Sequence, residues 1–136
     1  MKILIYGLSG AGKSTLTTAL KIKLGAPVVN GDDIRHTHND WDFSIDGRMR
    51  QAYRIAEYAN TWNKINEIVL VDIIAPLQDM REIVDPDFSI LMDTISTCKY
   101  EDTNNIFDKG TPDLTITSFE YDIDEIVESI QKFLKH

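Results

Sequence analysis

Gly7-Leu8-Ser9-Gly10-Ala11-Gly12-Lys13-Ser14 is the stretch of this sequence whose residue types and spacing specify a chemistry. Its glycines let successive backbone N–H groups turn inward around a phosphate, and a helix starting directly after it adds a positive N-terminal end. Lys13 is placed to reach the β and γ phosphates, and the Ser14 hydroxyl to ligate Mg²⁺. Gly7, Ser9, Gly10, Ala11, Gly12, Lys13, Ser14 and Thr15 are therefore the expected ATP-binding residues, with Lys13 catalytic as well. The pattern has this meaning only between a strand and a helix. Here the apolar run Ile3-Leu4-Ile5-Tyr6 precedes it, and Leu16, Ala19 and Leu20 share a helical face after it. A glycine-rich turn that binds nothing is the rival reading, and this context counts against it.

A second group of candidates lies further on. Gly31-Asp32-Asp33-Ile34-Arg35 follows the short strand Pro27–Asn30 at its C-terminal end, the edge where open α/β sheets bind ligands. Of the two acids, one is expected to cap the next helix, and a chemical role is assigned to Asp32, catalytic and, with Ser14, as a metal ligand. Arg48 and Gln51 share one face of the following helix, while Arg50 and Arg54 occupy another. Cations in the first turns oppose the helix dipole, so an anionic ligand would explain Arg48, whereas ion pairing explains Arg50 equally well. Phe43 and Trp41 sit in an irregular polar segment, where an aromatic can stack on a base or pack on the core. His36 and His38 lack a third ligand at a metal-binding spacing and read as solvated loop residues. Cys98 reads as a small structural residue, since no partner pattern marks it as a nucleophile.

These groups must be positioned by alternating strands and helices. The first helix is expected to stop at Gly25, with Pro27 beyond it, and Pro27–Asn30 is the second strand. Residues 36–43 read as irregular. Ser44 caps a long helix to about Lys64 with Ile45, Met49, Ala52, Ala56 and Ala59 inward. The run 68–74 is a central parallel strand closed by Pro76. A short helix over 77–83 carries Arg81, 88–93 is the fourth strand, 94–111 is a polar loop, and 113–117 is the fifth strand. The last helix starts at Asp122 and turns Ile123, Ile126, Val127, Ile130, Phe133 and Leu134 inward. The expected fold is α/β: a single domain over 1–136 with three layers around a five-stranded parallel sheet, the P-loop NTPase arrangement of nucleotide kinases.

Composition narrows the function. The 136 residues carry 14 basic and 22 acidic side chains, a net charge of −8, which disfavours broad contact with nucleic-acid phosphates. One cysteine cannot form an internal disulfide and suits a reducing compartment. No run approaches membrane-spanning length and no signal-peptide core opens the chain, so a cytoplasmic protein without a membrane partner is expected.

With these residues located, the chain resembles the adenylylsulfate kinase family, which transfers the ATP γ-phosphate to the 3′-hydroxyl of adenosine 5′-phosphosulfate. Gly7–Ser14 with Thr15 is similar to the family's GLSGAGKST loop, and Asn30–Arg35 to its DGDNIR motif. Phe43-Ser44 with Arg48 is similar to the FS…DR segment, and Ile74-Ala75-Pro76 with Arg81 to ISPYR..R. The resemblance implies that Asp32 lies near the acceptor hydroxyl, that Arg35 and Arg48 hold the phosphosulfate, and that Phe43 stacks on the acceptor adenine. Gln51 stands where the family usually has Asn, and Ile74, Ala75 and Arg81 complete the substrate-binding set. It further implies ATP and Mg²⁺ as cofactors and leaves room for a homodimer. Three departures stand out: Asn30 replaces the first aspartate of DGD, Ala75 replaces a serine that some members phosphorylate, and the family's lid is reduced to a short loop containing Lys99, Phe107 and Lys109. Two alternative readings therefore stand beside the first: a P-loop kinase for another nucleoside or nucleotide acceptor, and a nucleotide-binding module that has lost transfer.

Overall fold

Strand β1 (Lys2–Tyr6) is the middle of the fold because it has no face to offer water: all five residues are buried. In the computed structural model, which describes residues 1–135, five parallel strands run in the order β2-β3-β1-β4-β5. β2 is Val28–Asn30, β3 Val69–Asp72, β4 Phe88–Met92 and β5 Leu114–Ile116. Side chains of β1 alternate between two apolar layers, as the strand period requires. Ile3 and Ile5 pack with Leu16 and Leu20 of α1 (Lys13–Leu24) and Ile126 and Ile130 of α6 (Ile123–Leu134). Leu4 and Tyr6 pack with Ile55 and Ala59 of α3 (Ile45–Asn63) and Val84 of α4 (Gln78–Val84). Each such side chain, fully buried, contributes about 1.5–3 kcal/mol.

Several ends follow the sequence reading. α1 stops at Gly25, which takes the left-handed conformation at φ 61°. Ser44 caps α3 by accepting the Gly47 N–H, and Asp122 caps α6 by accepting that of Asp124. Gly7 is demanded by packing: a Cβ there would lie 2.6 Å from the Met92 carbonyl oxygen, so only glycine lets β1 turn into the loop beside β4.

The structure corrects other expectations. Of residues 36–43, expected to be irregular, the first three close a helix α2 (Gly31–His38), and its cap is Asn30, whose Oδ1 accepts the Asp33 N–H, rather than either aspartate. A glycine in first place and few apolar residues hide this helix from a periodicity reading. β3 stops at Asp72, and Ala75, at φ 45°, turns the chain away. Ile45 is exposed and Met49 half-buried, whereas the buried face of α3 begins with Gly47, Arg48 and Gln51. Its first turns look into a ligand cavity rather than the apolar core, so polar residues are turned inward. The polar loop contains a further short helix, α5 (Glu101–Ile106).

Gly47 meets the loop that carries Phe43. A Cβ added there would overlap the Asp42 carbonyl oxygen and side-chain carboxyl carbon. Gly47→Ala is therefore expected to destabilise the protein by about 1–3 kcal/mol, against the ~1 kcal/mol gain that alanine ordinarily brings to a helix. Urea unfolding of the two proteins measures the sign.

Candidate active site

The loop after β1, the ends of β2 and β3, α2, the first half of α3, and α5 enclose a cavity of about 500 Å³. On one side are Ser9, Gly10, Gly12, Lys13, Ser14 and Thr15. Gly10 and Gly12 take left-handed conformations, φ 87° and 95°, which turn the loop's amides toward its concave side. Gly7 and Ala11 do not line the cavity. The Gly7 N–H donates to Ile74 O and the Ala11 N–H to Leu8 O, so these two residues shape the loop instead of offering donors to a phosphate. The Thr94 hydroxyl braces the loop by donating to Ala11 O at 2.7 Å.

Facing the loop are Asp32, Arg35, Phe43, Arg48, Gln51, Ile74 and Ala75, brought together from three separated segments. Both guanidiniums are buried and hold the Phe43 loop. Arg35 donates to the carbonyl of Asp40 at 2.9 Å, and Arg48 Nε to that of Phe43, also at 2.9 Å. Arg35 lies 4.3 Å and Arg48 5.6 Å from the centre of the Phe43 ring, which remains 45% exposed and presents free aromatic surface. Burial pulls the Arg35 pKa down from its ordinary value, with Asp40 opposing. Gln51 Nε2 donates to Gly31 O at 2.9 Å, while its Oε1 is buried with no hydrogen-bond partner among the described residues. Such an acceptor costs about 1–3 kcal/mol until a donor reaches it.

Arg81 does not line this cavity. Its Nη1 donates to Ala75 O at 2.6 Å and its guanidinium lies over Tyr6, so it fixes the turn that carries Ala75. Arg50 and Arg54 pair with Asp40 at 2.7 and 2.6 Å, and Arg50 also with Asp42, so the ion-pair explanation holds for Arg50. His36 packs edge-on against Trp41, and His38 bonds the Tyr58 hydroxyl. Among the described residues no cluster of three or more His, Cys, Asp or Glu side chains forms a metal site.

Asp72 is the residue that sequence reasoning missed. It ends the most apolar run of the chain and looked like part of a core strand. In the structure it is 5% exposed, lines the cavity, and its Oδ2 accepts from Ser14 Oγ at 3.3 Å and Asn30 Nδ2 at 3.4 Å. Burial raises its pKa, opposed by Lys13; burial likewise lowers the Lys13 pKa, opposed by Asp72 and then Asp32. Tyr100, Asp102 and Thr103, from α5 and the residue before it, also line the cavity. Thr103 accepts from Arg48 Nη2 at 3.1 Å and Asp102 lies 3.5 Å from it.

Residues 1–125 match the family described as adenylylsulphate kinase. The chain belongs to that family. The adenylyl-sulfate kinase of Prochlorococcus marinus is 31% identical over an alignment covering 91% of this chain and 78% of that one. In three dimensions the Mycobacterium tuberculosis APS kinase, solved in complex with AMPPNP and APS, superposes with a TM-score of 0.73 at 23% identity, over 99% of this chain and 97% of that chain. The hexameric APS kinase from Thiobacillus denitrificans is 30% identical with a TM-score of 0.69, over 99% of this chain and 28% of that one. As a member of the adenylylsulphate kinase family the protein is a phosphotransferase, and its five-stranded parallel sheet is that of the P-loop kinases. Among the described residues, no helix is long and apolar enough to cross a membrane.

The donor set fits the magnesium that this kinase family implies. Mg²⁺ keeps several waters and takes phosphate oxygens, needing only one or two protein oxygens. A Ser14 hydroxyl beside a buried carboxylate supplies such a set.

The buried Asp72 carries a consequence for the ligand-free protein. An acid whose folded pKa is raised favours folding below its unfolded pKa, and that contribution is lost as pH rises through the folded pKa. Asp72→Asn keeps an oxygen for both donors and removes the charge. It is therefore expected to melt at a higher temperature than the wild type at pH 7–8, the gap closing toward pH 4. Thermal melts without nucleotide across that range make the comparison.

Proposed function

We propose that this protein phosphorylates the 3′-hydroxyl of adenosine 5′-phosphosulfate, using ATP with Mg²⁺. The observation that carries the reading is the convergence in one cavity of Lys13 and Ser14 with Asp32, Arg35, Phe43 and Arg48. Phosphoryl transfer asks the protein for position and charge neutralisation more than for covalent chemistry.

The roles follow from chemistry and place. The amides around Gly10 and Gly12 and the Lys13 ammonium hold the triphosphate. Ser14, with Asp32 beside it in the same cavity, would hold Mg²⁺, which would supply neutralisation of the phosphate charge. Phe43 offers its free face to the acceptor adenine, and Arg35 and Arg48 face the phosphosulfate. Gln51 Oε1 accepts a hydrogen bond from the acceptor. Asp32 orients the 3′-hydroxyl. As the new bond from that oxygen to the γ-phosphorus forms, the bond to the β,γ-bridging oxygen breaks and ADP leaves. The hydroxyl proton passes to Asp32 late in the transfer. Ala75 has no hydroxyl, so transfer is direct, without a phosphoserine at this position.

Incubation with γ-labelled ATP and adenosine 5′-phosphosulfate is expected to give 3′-phosphorylated product. If only an uncharged acceptor such as adenosine is phosphorylated, this assignment is wrong. Lys13→Ala should abolish transfer with little change in stability, since it removes a charge-assisted contact and no core packing. Arg48→Ala should lower acceptor kcat/KM by about ten- to a hundredfold, from loss of a charge-assisted hydrogen bond of about 1.5–3 kcal/mol, and affect ATP binding far less.

Asp102 leads to a separate expectation. It stands against the same guanidinium that an anionic acceptor would use, with its side chain largely exposed. Asp102→Asn should lower KM for adenosine 5′-phosphosulfate with kcat nearly unchanged, which steady-state kinetics resolves.

A further inference from the structure

Ala75 is held in a conformation that alanine does not take by preference. It is buried, lines the cavity, and has φ 45°, in the left-handed region where a Cβ crowds the following carbonyl. The chain up to Ile74 is tied to the phosphate loop, because Ile74 O accepts the Gly7 N–H. Ala75 is the first residue past that tie. Its conformation therefore sets where Pro76 and Met80, which also line the cavity, stand relative to the loop.

One side chain outside the cavity holds it there. Arg81 Nη1 donates to Ala75 O at 2.6 Å and Nη2 to Gln78 Oε1 at 3.0 Å, with the guanidinium 4.8 Å from the centre of the Tyr6 ring. The surrounding chain leaves space for this fork. Gly110, itself at φ 63°, would set a Cβ 2.9 Å from Nη2 if it had one. The segment that carries Gly110 is fastened to the same turn and to β1: the Asp108 N–H donates to Pro76 O at 2.8 Å, and the Tyr6 hydroxyl donates to Lys109 O.

Stability alone does not account for an arginine at this position. It is 6% exposed, and the carboxylate paired with it, that of Asp108, lies 3.9 Å away on a largely exposed side chain. A buried cation so loosely paired is costly, and an apolar side chain of similar size would fill the space without that cost. What a hydrocarbon cannot supply is a donor aimed at Ala75 O.

We propose that Arg81 is a positioning residue for the acceptor: it holds Ala75 in the left-handed conformation and thereby fixes the Ala75, Pro76 and Met80 wall of the cavity. This rests on the reading of that cavity as the seat of adenosine 5′-phosphosulfate as well as ATP. Without the clamp Ala75 relaxes, only a fraction of molecules keeps the wall in place, and acceptor binding weakens by the inverse of that fraction.

The test compares the wild type, Arg81→Met and the double variant Ala75→Gly/Arg81→Met. Steady-state kinetics with adenosine 5′-phosphosulfate varied at saturating ATP gives KM and kcat, and calorimetry with the β,γ-imido analogue of ATP gives nucleotide affinity. Arg81→Met is expected to raise acceptor KM about five- to thirtyfold, the factor that corresponds to holding an alanine in the left-handed region. Its kcat should change far less, as for a loss of binding shared by ground and transition states, and the affinity for the analogue should stay within about twofold of the wild type. Glycine takes the left-handed conformation without that penalty, so the double variant should recover about half or more of the lost factor on a logarithmic scale. A merely structural Arg81 would weaken acceptor and analogue alike and would not be rescued at Ala75. That result, an unchanged KM, or a double variant no better than Arg81→Met overturns the proposal. If Arg81→Met does not fold, Arg81→Lys, which keeps the charge but not the fork, is measured by the same criteria. A wild type that forms no 3′-phosphorylated product overturns the acceptor reading and this proposal with it, whereas an active wild type matched by Arg81→Met overturns the proposal alone.

Discussion

A triphosphate can be gathered out of water only where several free N–H groups and a cation face one point without side chains in the way. The rest of this structure depends on that constraint. It requires glycines at Gly10 and Gly12 in left-handed conformations and a strand that delivers the loop to the sheet's edge. β1 meets this need from the centre of the sheet, between β3 and β4, where all five of its residues are buried. Because β3 is its neighbour, the end of β3 arrives beside the loop, and Asp72 with it. Lys13 and Asp72 thus face each other in a place where burial disfavours both charges, the Lys13 pKa being lowered and that of Asp72 raised. Charges held against burial in this way are characteristic of a site shaped for a ligand rather than for stability.

The Phe43 side of the cavity is built on a different principle. Phe43 sits in an otherwise polar loop, and two buried guanidiniums hold that loop by its carbonyls while lying near the aromatic ring. Arg50 and Arg54, on the outer side, fasten the same segment through Asp40. An arginine is suited to this double duty because its five donors point in fixed directions. Arg48 retains a contact to α5, so the Phe43 side of the cavity and α5 are linked through one side chain 3% exposed. α5 and the residue before it bring Tyr100, Asp102 and Thr103 to the cavity.

Much of this was legible before any coordinates. The phosphate loop, the five strands, the capped helices at Ser44 and Asp122 and the stop at Gly25 are local chemistry, written in adjacent residues. The pairing of Arg48 with Gln51 on one face follows from the helix period. The first turns of α3 were misread because the period gives a stripe but not what the stripe faces. Arg81 was misassigned for a related reason: its spacing from Pro76 places it near the cavity, and only the turn at Ala75 decides that its donors are taken up by the backbone.

What the sequence determined by itself was therefore the strand–glycine loop–helix unit, the succession of the five strands and the family. The tertiary structure decided where charge stands beside the glycine loop. Asn30 and Asp72 are far apart along the chain, and nothing local in an apolar run that ends in aspartate distinguishes a strand end from a functional carboxylate. They meet only because β3 lies between β2 and β1. Strand order is a property of how the whole sheet buries its two faces, and no segment carries it alone.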